Sequence, residues 1–421
     1  MNRSPLLVIF ITVFIDLIGF GIVIPVLPFY VEGTRFNASA RTVGLLFASY
    51  SVMQLIFTPI LGRLSDRYGR RPILFLSLLG TSLGFLILGL ATNVQMLFAG
   101  RILDGITGGN ISTAQAYIAD VTTPENRAKG MGMIGAAFGL GFILGPAIGG
   151  VLSRWGISLP FFFASGLALA NAVLLYFTLP ETVTKDHPAR ASAATGRWSQ
   201  LVRALKQSRL KFVLVIYFLF ITAFSIMTTS FGLFTMYRFG YDAHHTGWLF
   251  AYVGLMGAII QGGLIGRLVK RFGELRLINM GALLFALSLF AIPLTGPQTG
   301  VLALLVVGAT FAFGNGLATP ALTGLASKSV GPGEQGGVLG VTQSAASLAR
   351  TVGPLIASYL IASPFATYGH DRQLHLMSDR SLQATFWTAA AIMFAAFLLT
   401  LYFTRSHASE YANPDAVIAS S

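Results

Sequence analysis

The chain has 421 residues, of which 54% are apolar and only 10% carry a formal charge. Soluble domains usually carry about 25% charged residues, so this composition excludes an ordinary soluble domain. The absence of cysteine excludes disulfides, thiolate catalysis and cysteine-held iron–sulfur clusters. The net charge of +13 would suit either nucleic acid or a membrane surface, and the position of the charges decides between them.

Twelve long apolar runs, each bounded by polar or charged residues, follow one another along the chain. They are Leu6–Tyr30, Thr42–Leu61, Pro72–Ala91, Gln95–Ala119, Gly130–Leu152, Phe161–Leu179, Phe212–Met236, Thr246–Leu268, Leu275–Leu294, Val301–Leu325, Gly337–Ile361 and Leu382–Phe403. Each is too long for a core strand and suits a tilted helix across a bilayer, which takes about 20 residues. The first run is too long for a signal peptide and carries Asp16 in its middle, so we interpret it as a span. The sequence therefore predicts an all-α integral membrane protein with twelve transmembrane helices.

The lysines and arginines lie mostly on one side of these predicted helices. If the N-terminus is inside, the inner segments carry 20 of them and the outer segments 6, while Arg101 and Arg350 lie within runs. Cytoplasmic loops of membrane proteins are enriched in Lys and Arg, so both termini are predicted to be cytoplasmic. The positive charge is then a topology signal, and we expect no nucleic-acid partner.

A polar segment divides the runs into two sets of six. We predict an N-terminal half over 1–180, a cytoplasmic linker over 181–211 and a C-terminal half over 212–421. Within the linker, Trp198, Leu201, Val202 and Leu205 recur at helical spacing, with basic residues on the other face. This pattern favours an amphipathic helix against anionic membrane lipid, and a calmodulin-like partner is the alternative.

The two halves repeat each other in sequence. Gly-Arg-Leu at 62–64 recurs at 266–268, and Gly-Pro at 145–146 recurs at 353–354. Gly44 and its neighbours recur around Gly247, again on the corresponding run. A parallel repeat of this kind predicts a binding site between the halves near the midplane, exposed alternately to either side.

Several motifs resemble the major facilitator superfamily. Residues 62–71 resemble its loop signature, Arg101–Gly105 its second motif, and Gly141–Gly150 the motif of its antiporters. Asp16–Pro28 and Ala116–Asp120 are similar to twelve-span drug/proton antiporters of the tetracycline-efflux type. The resemblance implies the major facilitator fold, with two six-helix pseudo-repeats, and proton-driven drug export.

Two acids, Asp16 and Asp104, lie deep within predicted helices. A carboxyl group there costs several kcal/mol and indicates a function, so Asp16 is the first candidate for a proton site. The alternative is a permanently neutral acid that caps a neighbouring helix. Asp104 lies one helical turn after Arg101 and is predicted either to form a fixed ion pair with it or to take part in proton transfer.

The resemblance implies that Arg101 tunes a carboxylate on the first run and helps proton transfer. Relatives of the tetracycline-efflux type carry further acids on the third and ninth runs. Pro72–Ala91 and Leu275–Leu294 contain none here. Asp104 is therefore a candidate substitute in the proton pathway.

Gln54 and Arg350 are further polar residues inside runs, and with Asp16 they form the predicted substrate site. Gln54 matches a substrate-contact position of the tetracycline-efflux type, and a hydrogen bond between helices suits it equally well. Arg350 needs an acceptor: helix carbonyls, a shared acid or an anionic substrate.

In the loop signature, Gly62 and Gly69 are predicted to allow a tight reversal between two helices. Arg70 is placed to pair with Asp120, and Asp66 to lie near the N-terminus of another span, such as the eleventh. We predict that Asp66, Arg70 and Asp120 form a latch that holds the inner side shut. The remaining arginines of this loop are interpreted as topology signals.

The fifth run carries glycines at every fourth position, Gly141, Gly145 and Gly149, beside Pro146 and Gly150. The glycines leave a smooth stripe on which another helix packs closely, and the proline bends the helix. Together with the resemblance, this pattern favours an antiporter over generic helix packing.

Apparent enzyme motifs lack their structural context. Residues 80–84 fit a nucleophile elbow and 130–135 a dinucleotide fingerprint, but no strand precedes either. His370, Asp371 and His375 in a polar loop are a weak pattern for a metal. We expect no enzymatic activity, no cofactor and no metal.

The sequence thus predicts a monomeric exporter in the inner (cytoplasmic) membrane, with protons, a small molecule and membrane lipids as its partners. It would exchange a lipophilic, tetracycline-like compound for protons by alternating access. A symporter, or an exporter of an endogenous metabolite or lipid, is the alternative.

Overall fold

The structure is a computed structural model that describes residues 5–33, 35–182, 208–328, 335–361 and 379–406. These residues are helical with short turns and contain no strand. The helices of the first half are α1 (Pro5–Glu32), α2 (Ala40–Tyr68), α3 (Arg70–Leu90), α4a (Val94–Thr107), α4b (Asn110–Val121), α5 (Pro124–Ser153) and α6 (Leu159–Thr178). Those of the second half are α7 (Ser208–Phe239), α8 (Ala243–Phe272), α9 (Glu274–Ala291), α10 (Gly300–Lys328), α11 (Gln335–Ile361) and α12 (Asp379–Ser406).

Ten helices of the described residues are long and apolar enough to cross a membrane. The other two predicted spans are α4, which is broken into two short helices, and α11, which carries Gln343 and Arg350 among its apolar residues. The all-helical prediction is therefore confirmed. The predicted linker helix around Trp198–Leu205 and the polar cluster at 370–375 lie outside the described residues.

The fourth run was predicted as one helix but is interrupted at Gly108 and Gly109. Two successive glycines lower helix propensity, and the Thr107 hydroxyl donates back to the Leu103 carbonyl at 2.9 Å, a contact that bends helices. The Gln54 amide donates to the Gly108 carbonyl at 2.9 Å and so replaces the helical hydrogen bond lost at the break.

Seven of the ten residues of the loop signature, 62–68, lie within α2. The predicted role of Gly62 in the reversal is wrong, because α2 continues past it to Tyr68 and Gly62 is buried inside the helix. Gly69 alone makes the turn, with φ of 109°, and its repeat Gly273 makes the same turn between α8 and α9 with φ of 76°. Only glycine adopts this left-handed region without strain. The face that holds both turns is called the basic face below, and the other the opposite face.

The two halves meet through a pseudo-symmetric pair of contacts. Gly44 of α2 approaches α11, where an added Cβ would lie 3.2 Å from the Pro354 carbonyl oxygen. Gly247 of α8 approaches α5, where an added Cβ would lie 2.6 Å from the Pro146 carbonyl oxygen. The sequence repeats of Gly44 with Gly247, and of Pro146 with Pro354, thus come together as two equivalent interfaces.

These interfaces are closed toward the opposite face. There the Ser358 hydroxyl donates to the Arg41 carbonyl at 3.1 Å, and a ring nitrogen of His244 lies 3.2 Å from the Gly150 carbonyl. The Tyr237 hydroxyl of α7 also donates to the Glu32 carboxylate of α1. Three pairs of helices therefore join the halves at that end.

Toward the basic face, α5 and α8 lose this close approach. Six glycines on α5 and α8 have no described atom within 4 Å of an added Cβ: Gly132, Gly135, Gly139, Gly262, Gly263 and Gly266. The described contacts between the halves thus lie toward the opposite face, which is the arrangement of a transporter open on one side only.

Candidate functional site

Asp16 and Asp104 line one small polar pocket in the first half. Asp16 comes from α1 and Asp104 from α4a, while Tyr50, Thr81 and Phe85 complete much of the wall. The space has room for about one water molecule. In this conformation the pocket can therefore hold a proton or a water, but not a compound of drug size.

The break in α4 places a polar group beside Asp16. Asn110, the first residue of α4b, donates from Nδ2 to an Asp16 carboxylate oxygen at 2.9 Å. Broken helices in transporters present their N-terminal ends, which carry partial positive charge, to groups at the midplane. Among the described residues Asp16 has no ion pair, so a neutral amide is its closest polar partner.

Arg101 is fully buried and forms an ion pair with Asp104, its Nη1 lying 3.0 Å from the carboxylate. Its guanidinium carbon also lies 4.2 Å from the centre of the Tyr50 ring, at cation–π distance. The Nε and Nη2 atoms have no hydrogen-bond partner among the described residues. The structure thus brings together the predicted pair of Arg101 and Asp104, in the same pocket as Asp16.

Gln54 bridges two helices in this structure. Its amide Nε2 donates to the Tyr50 hydroxyl and to the Gly108 carbonyl, both at 2.9 Å. Of the two alternatives for Gln54, the hydrogen bond between helices is present. A contact with substrate stays a prediction.

Arg350 lies in the second half, on α11, and is partly buried. Its Nη2 donates to the Ser347 hydroxyl at 3.3 Å. Tyr217 of α7 and Tyr50 of α2 are close enough to interact electrostatically with the guanidinium. Tyr50 also interacts electrostatically with Asp16 and Asp104, so it is near both Arg350 and the acids of the first half.

The three residues of the predicted latch are in contact. Arg70 pairs with Asp66, and its Nε lies 3.0 Å from an Asp120 carboxylate oxygen. Its Nη1 also donates to the Ser65 hydroxyl at 2.7 Å. All of these residues belong to the first half, and they are paired although the halves are apart at the basic face. Pairing alone therefore does not shut that face.

The end of α6 is tied to the same cluster. Glu181 accepts hydrogen bonds from the backbone N–H groups of Arg70 and Arg71, at 2.9 and 3.0 Å, and so caps the start of α3. The Thr182 hydroxyl donates to Asp120 at 3.2 Å, and Arg71 stacks on the Tyr176 ring at 4.8 Å. Arg71 was interpreted as a topology signal only, and this packing adds a structural role.

The glycine stripe of α5 packs against α1. An added Cβ would lie 2.7 Å from Leu17 Cβ at Gly141, 2.7 Å from Gly21 Cα at Gly145 and 3.0 Å from the Ile22 carbonyl at Gly149. Beside the stripe, the Pro146 carbonyl and Gly150 meet α8 of the other half. The motif thus holds α5 between the helix that carries Asp16 and the second half.

The family assignment rests on the match to known sequences. The family model of the Major Facilitator Superfamily matches residues 9–354. The chain belongs to this superfamily. Over 424 residues it is 33% identical to the class H tetracycline resistance protein of Pasteurella multocida, with 100% of both chains covered. It is 34% identical over 367 residues to multidrug resistance protein 2 of Bacillus subtilis (strain 168), covering 85% of this chain and 89% of that protein.

A solved structure shows the same fold. The crystal structure of the human organic anion transporter MFSD10 matches with a TM-score of 0.68 and 25% identity, over 95% of this chain and 99% of that one. This major facilitator is therefore a multi-pass membrane transporter of small molecules and not an enzyme.

Several residues of the site and of the helix contacts in this major facilitator were missed by sequence reasoning. Asn110, Tyr50 and Tyr237 are neutral polar residues in helices, and nothing in their spacing distinguishes them from packing residues. Glu32 and Glu181 stand at helix ends, where acids are common. The pair Gly108–Gly109 was the one available signal for the break that brings Asn110 to Asp16.

Proposed function

We propose that this transporter exports a small lipophilic compound of drug size in exchange for protons, with tetracycline-like molecules as the first candidates. The position of Asp16 carries the proposal. It is a carboxyl group in the middle of α1, beside the closely packed α5 motif, with a neutral amide as its hydrogen-bond partner. The names of the relatives, which are tetracycline and multidrug resistance proteins, support the choice of cargo.

In the proposed cycle, Asp16 takes up and releases the transported proton, and Asp104 with Arg101 sets the charge around it. The compound binds between the halves, at Gln54, Arg350 and Asp16, when the opposite face is closed. One proton that moves down about 150 mV supplies roughly 3.5 kcal/mol, which supports a gradient of a few hundredfold for a neutral cargo.

The orientation follows from the charge count of the loops. We infer that the basic face is cytoplasmic and that both termini lie on that side, because the predicted inner segments hold 20 of the 28 lysines and arginines. The transporter works as a monomer in this proposal. Reporter fusions at the two ends of the chain test the orientation.

The direct test is proton movement on binding. Purified protein in weakly buffered detergent solution is mixed with tetracyclines, phenicols, quinolones and cationic dyes, and the pH is recorded. Proton release that the variant Asp16→Asn lacks is expected for an antiporter. Proton uptake would establish the alternative, a symporter.

The same panel tests the cargo in cells. Expression in a drug-sensitive bacterial host is expected to raise resistance to at least one class. Normal membrane expression without resistance to any of them would favour an endogenous metabolite or lipid as the cargo.

A further inference from the structure

A cation in the second half has no acidic partner among the described residues. Arg350 donates one described hydrogen bond, to the Ser347 hydroxyl, although a guanidinium group has five N–H donors. An unpaired cation inside a membrane protein is costly, and such groups usually face an interior cavity and serve a function.

Arg101, the other arginine deep within a span, is paired with Asp104 at 3.0 Å. Arg70 and Arg238, at helix ends, also have carboxylate partners: Asp120 at 3.0 Å and Asp379 at 2.6 Å. The contrast shows that the fold supplies a carboxylate for these arginines and supplies none, within the described residues, for Arg350.

The surroundings of Arg350 point toward the seam between the halves. Its electrostatic neighbours are the phenols of Tyr217 and Tyr50, which come from α7 and from α2 of the other half. Tyr50 also interacts with Asp16. Because Arg101 and Asp104 neutralise each other, the charges left around Tyr50 are the carboxyl group of Asp16 and the guanidinium of Arg350.

We propose that Arg350 binds an anionic group of the transported compound, so that the cargo is an amphiphile that carries a carboxylate or a similar acid. The inference rests on the proposed export function, because it assumes that cargo binds between the halves. A zwitterion satisfies both sides of the site: its anionic group meets Arg350 and its cationic group replaces the proton at Asp16. Binding of such a compound would release a proton.

Comparing the binding of a dye with that of its ester isolates the contribution of the anionic group. Rhodamine B carries a free carboxylate, and rhodamine B ethyl ester has the same ring system without that charge. Binding of each dye to the purified full-length protein, in nanodiscs of phosphatidylcholine, is measured by fluorescence polarisation. The variants are Arg350→Gln and Arg350→Lys, with Arg276→Gln, an exposed arginine at the start of α9, as the charge-matched control.

The expected result is a loss of about tenfold or more in affinity of Arg350→Gln for the acid, with affinity for the ester unchanged. Arg350→Lys should retain part of the affinity, because the charge remains but the planar fork is lost. Arg276→Gln should behave as the wild type. Equal binding of the ester by all four proteins shows that the variants are folded.

Two results would overturn the inference: equal affinity of Arg350→Gln and the wild type for the acid, or no binding of the acid by the wild type. A repeat with phosphatidylglycerol in the nanodiscs separates cargo from lipid. If that lipid abolishes the Arg350-dependent binding, the anion is a lipid headgroup and the inference about the cargo is wrong.

Different results would contradict the anion site at Arg350 and the antiport mechanism. Arg350-dependent binding of the acid without proton release would contradict antiport and leave the anion site standing. Proton release with neutral or purely cationic compounds, without binding of the acid, would contradict the anion site and leave antiport standing.

Discussion

At the scale of single residues, the pocket of the first half holds two carboxyl groups with different partners. Asp104 lies 3.0 Å from a buried guanidinium, whereas Asp16 receives one hydrogen bond from the neutral amide of Asn110. An acid that is paired with an arginine is held in its charged form, and an acid without a counter-ion is the one that can change charge at little electrostatic cost. This difference supports the proposal that Asp16 carries the transported proton.

Replacement of each acid by asparagine should separate the two roles. Asp16→Asn is expected to abolish proton-driven export while binding or counterflow of the compound persists in part. Asp104→Asn is expected to keep proton-driven export but to lower stability by about 3–5 kcal/mol, because Arg101 loses its counter-ion. Transport in proteoliposomes with an imposed pH gradient and thermal melting of the purified variants measure the two effects.

The reversed pattern would contradict the assignment. If Asp16→Asn exports normally and Asp104→Asn is inactive although folded, the proton site is on α4a.

At the scale of helices, the ion pairs of the latch residues are present although the basic face is not closed. Arg70 contacts Asp66 and Asp120 while the halves are apart. The Asp66 side chain is 49% exposed even so. Its carboxylate is thus accessible to the second half, and the latch prediction now concerns the contact that Asp66 makes when the basic face closes.

Asp66→Asn is predicted to raise the population that is open at the basic face. The loss of one negative charge weakens the attraction to the positive N-terminal end of a neighbouring helix such as α11. Spin labels at the basic-face ends of α5 and α11 would show a larger fraction of long distances. An unchanged distance distribution would remove Asp66 from the latch.

A second prediction at this scale concerns the packing of the α5 glycine stripe against α1. Gly145→Ala places a Cβ at 2.7 Å from the backbone of α1, which neither helix can relieve by moving a side chain. A clear drop in melting temperature is expected. Gly139→Ala is the matched control, because no described atom lies within 4 Å of its Cβ and alanine has the higher helix propensity.

The prediction is checked by thermal unfolding of both variants in the same detergent. Equal melting temperatures would mean that α1 and α5 do not pack as described.

Prediction from the sequence succeeded for helices because the bilayer imposes a length and an apolar composition on every span. It failed where local and tertiary interactions oppose that pattern. Gly62 lies inside α2, because that helix extends beyond the apolar run and buries this glycine. The helix α4a ends before Gly108, whose carbonyl accepts a hydrogen bond from Gln54 of another helix. The Arg101–Asp104 pair was predictable from helical spacing, whereas Asn110 reaches Asp16 only through the break.

At the scale of the molecule, the closed and open faces are linked by the two pseudo-symmetric interfaces. Gly44 meets the Pro354 carbonyl and Gly247 meets the Pro146 carbonyl, both near the opposite face. A side chain at either glycine would hold the halves apart there. In the proposed alternating-access cycle, these interfaces act as pivots, because separation at one face must accompany approach at the other for the site to change its exposure.

Gly247→Val is expected to shift the population toward a form that is open at the opposite face. Gly266→Val is the matched control on the same helix, since no described atom lies within 4 Å of its Cβ. The absence of native cysteine allows labels at Arg154→Cys and His245→Cys without further changes. Distances between these labels should lengthen in Gly247→Val only.

A distance distribution that is the same in Gly247→Val and in the control would show that this glycine contact does not determine closure. Gly44→Val tests the equivalent interface and should act in the same direction.

The contacts of Glu181 and Thr182 have a consequence for how this molecule can be divided. These residues anchor the end of the first half to α3 and to Asp120. A chain cut after Thr182 would keep the cap of α3. The two halves could then be produced from separate genes as fragments 1–182 and 183–421, and each could be labelled or varied independently before they reassemble in one membrane.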